Sequence, residues 1–211
     1  GGPAGSTAAT MLAKSGRRVL VLEKAKFPRF HIGESLLPYN REVFDELGVW
    51  EKVSGAGFMV KRGAQFWMGD GSRRNRLVFG QGSFTEYPES LQVERSRFDK
   101  ILLDHSAECG AVVRATSNTS WLSDTGEQLA AGRFLIDASG LANLTANRAS
   151  LRDFYQGHRK IAIFNHFEGV DMPGGEEFGD ILIIRRANSW FWLIPLSETR
   201  TSVGLVMDKA D

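Results

Sequence analysis

The chain opens on a glycine-rich turn that leads into an alanine-rich helical segment and then into a short apolar strand. Gly1-Gly2-Pro3-Ala4-Gly5 matches the last five positions of the pattern G-x-G-x-x-G, and residues 18–22, RVLVL, have the composition of a buried parallel strand. Gly2 would let the backbone approach a pyrophosphate, and Gly5 would allow close packing of helix on strand. A helix that starts at Pro3 directs free N–H groups and its positive dipole end at that phosphate. The order of these features predicts a Rossmann-type nucleotide-binding unit.

An acidic residue follows the strand, where a dinucleotide site requires one. Glu23 lies 18 residues after Gly5, a position from which a carboxylate accepts hydrogen bonds from the ribose of an ADP moiety. Lys24 stands beside it and is assigned to the same cofactor site. The alternative is an ordinary glycine-rich turn followed by an exposed glutamate.

The rest of the chain alternates between helical and β-like patterns. Short β-like runs separated by glycine-rich turns occupy residues 58–91 and recur after residue 160, while residues 95–108 have helical periodicity and FLIDASG at 134–140 begins as a strand. We therefore predict an α/β fold, a Rossmann-type FAD-binding domain with an interleaved antiparallel β-sheet module. The predicted organisation is one incomplete domain over residues 1–211, with nucleotide-binding segments near 1–48 and 92–147 and sheet and substrate-side segments near 58–91 and 160–211.

Composition excludes several classes of function. Lys plus Arg number 26 and Asp plus Glu 25, so the net charge of +1 gives no field that favours nucleic acid or an anionic membrane. No apolar run reaches the length of a membrane span, and no charged-then-apolar leader is visible. The single cysteine, Cys109, fits a reducing compartment. The four histidines lack paired metal-ligand spacing. We expect a cytoplasmic protein without a metal site.

Two later stretches favour FAD over NAD. Residues 92–104, QVERSRFDKILLD, and 134–140, FLIDASG, resemble the second and third conserved stretches of the FAD-dependent monooxygenases and their relatives. The resemblance implies that Arg95 contacts the flavin nucleotide and that Asp137 lies near the pyrophosphate. The alternatives are an arginine at an exposed helix start and an aspartate that caps the next turn.

Three further stretches resemble flavin-dependent halogenases. They are FPRFHIGESLLP at 27–38, GFMVKRGAQF at 57–66, and SWFWLIP at 189–195, which matches the signature W-x-W-x-I-P at Trp190, Trp192, Ile194 and Pro195. The glycine-glutamate-serine loop resembles the phenol- and pyrrole-modifying branch, with Ser35 on the cofactor side and Glu34 on the tunnel or substrate side. Aromatic residues at a spacing of two are also typical of a half-buried strand, so core packing is the alternative for the last stretch.

The resemblance implies a reaction. A separate flavin reductase supplies reduced FAD, which reacts with O₂, and chloride or bromide is converted to hypohalous acid. The oxidant travels through a tunnel lined by Trp190 and Trp192 to Lys61, beside an electron-rich aromatic substrate that is free or tethered to a carrier protein. A lysine ammonium would donate a hydrogen bond to hypohalous acid, whereas a neutral amine would itself be halogenated, so the pKa of Lys61 decides between them.

Two rival functions remain open. A flavin-dependent monooxygenase or reductase without halide chemistry would fit the glycine motif, Arg95 and Asp137 equally well, and a non-enzymatic flavin-binding module is the third hypothesis. The chain also begins inside the glycine motif and stops soon after a strand-like run. We expect the opening strand and a later Gly-Asp segment to be missing, and residues 1–211 alone to be inactive.

Overall fold

The structure is a computed structural model that describes residues 1–82, 86–115, 133–153, 155 and 159–208. Part of the predicted nucleotide-binding segment 92–147 therefore lies outside the described residues. The helices are α1 (Pro3–Lys14), α2 (Asn40–Leu47), α3 (Trp50–Ser54), α4 (Arg95–Glu108) and α5 (Leu144–Arg148). The strands are β1 (Leu20–Glu23), β2 (Met59–Lys61), β3 (Gly63–Met68), β4 (Arg74–Val78), β5 (Ser90–Gln92), β6 (Val112–Ala115), β7 (Lys160–Glu168), β8 (Ile181–Arg185), β9 (Ser189–Pro195) and β10 (Arg200–Asp208).

The chain divides into two compact units, each made of two segments. Unit 1 contains Gly1–Ile32 and Arg95–Asp153, and unit 2 contains Gly33–Glu94 and Phe154–Asp211. In this division residues 33–48, which the sequence grouped with the nucleotide-binding segments, fall in unit 2. Which unit binds nucleotide and which binds substrate stays a prediction.

The described part of unit 1 contains the helices α1, α4 and α5 and a pair of parallel strands. Helix α1 has proline at its first turn, where a missing N–H costs nothing, and the chain turns away from it at Gly16, whose φ is +74°. Strand β1 pairs in parallel with β6, and Leu20 lies opposite Val112. Ala9 on α1 packs with Val21 on β1 and Leu103 on α4, and this small apolar cluster holds the helices against the strands. The predicted strand–helix unit is confirmed.

One predicted element of unit 1 is absent. Residues 134–139 form no strand, and Phe134, Leu135 and Ile136 are exposed. A strand needs a neighbour to accept and donate its backbone hydrogen bonds, and neither described strand of unit 1 pairs with this stretch. The strand prediction for FLIDASG is therefore wrong in this structure.

Unit 2 is dominated by a six-stranded mixed sheet in the order β4-β3-β8-β9-β10-β7. Strands β3 and β8 are parallel, and every other pair in this sheet is antiparallel. The short-strand pattern and turn spacing predicted an interleaved antiparallel sheet. The α/β fold and the interleaved sheet are confirmed, but the sheet is mixed because β3 and β8 are parallel.

A second, smaller sheet in unit 2 brings three distant parts of the sequence together. Strand β2 pairs with β5, and Lys61 lies opposite Ser90. Residues 34–36 also pair with β5: Ser35 is bridged to Gln92, and the Leu36 N–H donates to the Leu91 carbonyl over 3.0 Å. This arrangement sets the glycine-glutamate-serine loop beside the strand that carries Lys61.

Candidate active site

The start of α1 has the geometry of an anion-binding turn. Gly2 precedes the helix in extended conformation, no side chain caps the helix start, and its first turn contains no acidic residue. A Cβ added at Gly2 would lie 3.2 Å from Nη2 of Arg29, and one added at Gly5 would lie 3.3 Å from Cβ of Ala138. The turn therefore leaves backbone N–H groups and the positive helix end open, with little room for larger side chains. Pro3 and Ala4 occupy the first helical turn as predicted.

Glu23 ends β1 beside this turn. One carboxylate oxygen accepts a hydrogen bond from the Ala25 N–H at 2.7 Å, and the other lies 2.9 Å from the nitrogen of Gly1. Burial raises the pKa of Glu23, whereas the hydrogen bond from the Ala25 N–H and the positive charge of Arg29 act in the opposite direction. The structure thus places a carboxylate next to the glycine turn. Lys24 beside it is exposed.

Arg95 begins α4 and is held by contacts within unit 1. Its guanidinium donates from Nε and Nη2 to the two carboxylate oxygens of Asp99, at 2.7 and 3.0 Å, and from Nη1 to the Ile32 carbonyl at 2.7 Å. Asp99 is buried and also pairs with Arg29, whose Nη1 lies 3.1 Å from Oδ2. Two guanidiniums share one buried carboxylate, which leaves an excess of positive charge close to Gly2. Arg29 was not predicted as a site residue, although it lies within the stretch FPRF.

Asp137 organises its own loop. Its carboxylate accepts hydrogen bonds from the Ser139 N–H at 2.9 Å and from the N–H and hydroxyl of Thr145 at 2.8 and 2.6 Å. The hydrogen bonds from Ser139 and Thr145 hold the pKa of Asp137 well below its ordinary value. These contacts match the turn-capping alternative, and the predicted role near a pyrophosphate stays a prediction.

Lys61 is the most unusual site residue of unit 2. The last residue of β2, it is 2 % exposed, whereas most lysines are on the surface. Its ammonium donates to Oγ of Ser35 at 2.9 Å and to the carbonyl of Leu36 at 3.0 Å, and it lies 5.1 Å from the centre of the Phe79 ring. Ser35, predicted to bind cofactor, thus contacts the predicted catalytic lysine.

Two opposing effects determine the pKa of Lys61. Burial lowers the pKa of Lys61 to about 8, because the ammonium loses its hydration, and the carboxylate of Asp180 acts in the opposite direction. Ser35 and Leu36 offer Lys61 only neutral oxygen acceptors. A lysine with such a pKa changes its protonation state near physiological pH, whereas an ordinary surface lysine remains protonated there.

The side chain of Glu34 contacts His166, which was not predicted as a site residue. The Glu34 side chain is 1 % exposed, and its Oε1 lies 2.7 Å from Nε2 of His166 on β7. The backbone of Glu34 meanwhile accepts from the Val93 N–H at 2.7 Å. The 34–36 segment is therefore held by His166 through Glu34 and by Lys61 through Ser35. His166 follows no metal-ligand spacing, so no sequence pattern predicted it as a site residue.

The signature tryptophans lie on β9. Trp192 is buried and its ring nitrogen donates to Oγ of Ser202 at 3.2 Å, whereas Trp190 is 38 % exposed. The two ring centres are 5.9 Å apart. Gly204 lies opposite Trp192 on β10, and a Cβ added there would be 2.1 Å from the indole ring. The signature therefore combines a packed ring with an exposed one. Ile194 and Pro195, which complete it, are buried.

A cavity of about 460 Å³ in unit 2 lies near β2. Its lining includes Phe58, Val60, Phe178 and Leu196, with Arg62 and Glu198 as charged groups. Lys61 is not among the described residues that line it. The described residues hold no cluster of His, Cys, Asp or Glu suited to a metal ion, and none of their helices is long and apolar enough to cross a membrane.

Comparison with known proteins gives a consistent family. The family model described as tryptophan halogenase matches residues 1–88. A tryptophan 2-halogenase of Chondromyces crocatus is 37 % identical over 98 % of this chain and 42 % of its own length. A 1H-pyrrole-2-carbonyl-[peptidyl-carrier protein] chlorinase of Pseudomonas fluorescens is 33 % identical over 99 % of this chain and 54 % of its own length.

A solved structure agrees with these relatives. The FAD-dependent myxobacterial chondrochloren halogenase CndH superposes with a TM-score of 0.86 at 32 % identity, over 99 % of this chain and 51 % of that one. The chain spans about half the length of the curated relatives it matches. In sequence and in fold, the chain is similar to flavin-dependent halogenases over nearly its whole length.

Proposed function

We propose that the protein halogenates an electron-rich aromatic compound, with FAD, O₂ and chloride or bromide, and that Lys61 is its catalytic residue. The observation that carries the proposal is the burial of Lys61 and its two hydrogen bonds to the glycine-glutamate-serine loop. Burial of an ammonium is costly, and a desolvated lysine with a shifted pKa is a candidate for a functional role.

Unit 1 fits the ADP portion of FAD. The uncapped start of α1 would bind the pyrophosphate through backbone N–H groups, and the Glu23 carboxylate would accept hydrogen bonds from the ribose. Arg29, held by Asp99 beside Gly2, would add positive charge next to the phosphates. Gly2, Pro3, Ala4, Gly5, Glu23, Lys24, Ser35, Arg95 and Asp137 are the proposed cofactor-binding set. When bound, reduced FAD would supply the O₂-derived oxidant that turns halide into hypohalous acid.

Lys61 would act on that hypohalous acid. The Ser35 hydroxyl and the Leu36 carbonyl accept two of the three N–H groups of the ammonium and so fix its orientation. The third would donate to the oxygen of hypohalous acid, which makes the halogen more electrophilic toward an aromatic ring. The loss of water around a buried site strengthens this hydrogen bond and protects the oxidant from side reactions.

The tryptophans would separate the two reactants. Trp192 is fixed by packing and by its hydrogen bond to Ser202, and the half-exposed Trp190 lies next to it. Two rigid rings of this size would line the passage with Glu34, Ile194 and Pro195, and keep an organic substrate away from the flavin. Oxygen insertion into the substrate would then be disfavoured relative to halogenation.

Substrate and partners follow from the relatives as proposals. We place the substrate in the phenol or pyrrole class, either free or tethered to a carrier protein, because one relative is a chlorinase of a pyrrole-carbonyl carrier protein. A separate flavin reductase would supply reduced FAD, and the protein would work in the cytoplasm.

The test uses full-length protein with reduced FAD, O₂ and bromide, and compares a phenol, a pyrrole and tryptophan as substrates. We expect brominated phenol or pyrrole, and we expect Lys61→Met to lower its formation at least about 100-fold, as for loss of a general acid. Lys52→Met, at an exposed lysine of α3, is the matched control and should retain activity. Undiminished bromination by Lys61→Met would remove Lys61 from the mechanism, and a hydroxylated product would instead indicate a monooxygenase.

A further inference from the structure

We infer that Asp180 and Arg76 form a positioning pair that sets the charge of Lys61, with Asp180 favouring the ammonium and Arg76 limiting that effect. The role of this charge in catalysis rests on the proposed function, whereas the protonation state of Lys61 can be measured independently of that function.

Asp180 is a buried carboxylate of which only one oxygen accepts a hydrogen bond from a described residue. Its side chain is fully buried, and Oδ2 accepts from Nε of Arg76 at 2.7 Å. Oδ1 is buried and has no hydrogen-bond partner among the described residues. A buried carboxylate that is only half satisfied has a strong field in its surroundings, because little water screens it.

The carboxylate is packed against the chain next to Lys61. A Cβ added at Gly63, two residues after Lys61, would lie 3.0 and 3.2 Å from the two oxygens of Asp180. The same Cβ would lie 2.5 Å from the Leu77 carbonyl oxygen, so glycine at position 63 leaves room for this carbonyl and for the carboxylate at the junction of β2 and β3. The parallel pairing of β3 with β8 continues from this point, with Ala64 opposite Ile181.

Gly179, the residue before Asp180, makes a second close approach to the chain beside Lys61. Its φ is +97°, and a Cβ added there would lie 2.1 Å from the carbonyl oxygen of Val60, the residue before Lys61. The side chain of Gln92 donates to the Gly179 carbonyl at 2.9 Å. Only glycine combines this backbone conformation with so close an approach, so the position of Asp180 relative to β2 is tightly determined.

The other charges near Lys61 are weaker candidates. Arg62 and Glu89 pair with each other at 2.8 Å, but their side chains are 52 % and 47 % exposed and are screened by water. Glu176 and Glu177 interact electrostatically with Arg76. Nη2 of Arg76 also donates a hydrogen bond to the Glu176 carbonyl at 2.7 Å. Asp180 is the carboxylate that counteracts the effect of burial on the pKa of Lys61.

The balance has a chemical consequence. As an ammonium, Lys61 donates a hydrogen bond to the oxygen of hypohalous acid and stays unmodified. As a neutral amine, its nitrogen lone pair attacks the halogen: an N–X bond forms, the O–X bond breaks, and the hydroxide released takes a proton from nitrogen and leaves as water. The pair would therefore bias the site toward the hydrogen-bonding form at neutral pH.

The experiment measures the titration of Lys61 directly. The full chain is labelled with ¹³C at Cε of lysine, and the Lys61 resonance is assigned by its loss in Lys61→Met. We expect Asp180→Asn to move the midpoint down by about one pH unit, as for loss of a nearby opposite charge. Arg76→Gln should move it up, because Asp180 is then less compensated. Asp70→Asn and Arg74→Gln, which remove an exposed carboxylate and an arginine of the same strand β4, are the matched controls.

The two expected shifts have opposite signs, which separates them from structural damage. General loosening of the site would hydrate Lys61 and raise its pKa in both variants. A midpoint unchanged or raised in Asp180→Asn, or lowered or unchanged in Arg76→Gln, would overturn the inference. Because this measurement needs no halogenation, failure of the proposed function would appear only in the product assay.

Discussion

The two units build their candidate sites from contacts of different range. In unit 1, Glu23 binds the N–H two residues away, Arg95 binds Asp99 four residues away, and the Asp137 carboxylate binds Ser139 and Thr145 two and eight residues away. In unit 2, the Lys61–Ser35 contact spans 26 residues and the Glu34–His166 contact spans 132. Most of these unit 1 contacts are local, apart from those of Arg95 with Ile32, 63 residues away, and of Arg29 with Asp99, whereas both contacts in unit 2 join segments that are distant in sequence.

The difference in contact range predicts how far the effect of a substitution extends and how much stability it costs. A local contact is formed by a loop or a helix turn, and its loss affects mainly that loop. A contact between distant strands is part of the packing that holds a whole unit together, so its loss costs more stability. The following predictions test this contrast, and the first has the largest expected effect.

The largest effect is expected at Gly204. In Gly204→Ala the new methyl group would overlap the Trp192 ring, which is buried and held by Ser202. Overpacking of this kind should cost about 3 kcal/mol of unfolding free energy, measured by urea denaturation. Gly174→Ala is the matched control, since nothing lies within 4 Å of its added Cβ and its φ is −92°. Equal stability of the two variants would show that Trp192 is not rigidly seated.

A smaller loss is expected at His166. His166→Ala removes the partner of Oε1 in Glu34, whose other carboxylate oxygen is already buried without one among the described residues. The lost hydrogen bond should cost about 2 kcal/mol in the same assay. His31→Ala, at an exposed histidine of unit 1, serves as the control. If His166→Ala also leaves the Lys61 midpoint in place, the 34–36 segment is held adequately by its pairing with β5.

The smallest loss is expected in unit 1. Asp137→Ala removes the carboxylate that caps the loop before α5, and a capping loss of about 1 kcal/mol is expected. Because the pKa of Asp137 is lowered, its contribution is present at neutral pH and disappears as the pH falls below its ordinary value of 3.8. Wild type should therefore lose its advantage over the variant in acid-unfolding experiments. A larger cost than that of His166→Ala would reverse the contrast between the units.

The same contrast explains what the sequence could predict. The glycine turn, α1, β1 and α4 were predictable because each depends on residues that are close in sequence. Lys61 was identified through the stretch around it, but its burial and its contact with Ser35 were not, since both require β2 and residues 34–36 to pair with β5. His166 had no local signal.

Asp180 and its neighbour give a partial signal. Gly179-Asp180 precedes the apolar run of β8, which indicates a turn with positive φ before a strand. The dipeptide does not reveal which strand the turn approaches. FLIDASG failed for a related reason: its composition favours a strand, but a strand also requires a pairing partner, which composition does not specify.

The close approach of Gly204 to the Trp192 ring also constrains how the family can change. A side chain at position 204 becomes tolerable only after the ring at 192 has been replaced by something smaller, so the two substitutions are acceptable in one order and harmful in the other. Laboratory evolution that targets the signature tryptophans should therefore vary both positions in the same library. Selection restricted to single substitutions would keep glycine at position 204 and would miss variants in which β10, and not β9, carries the larger side chain.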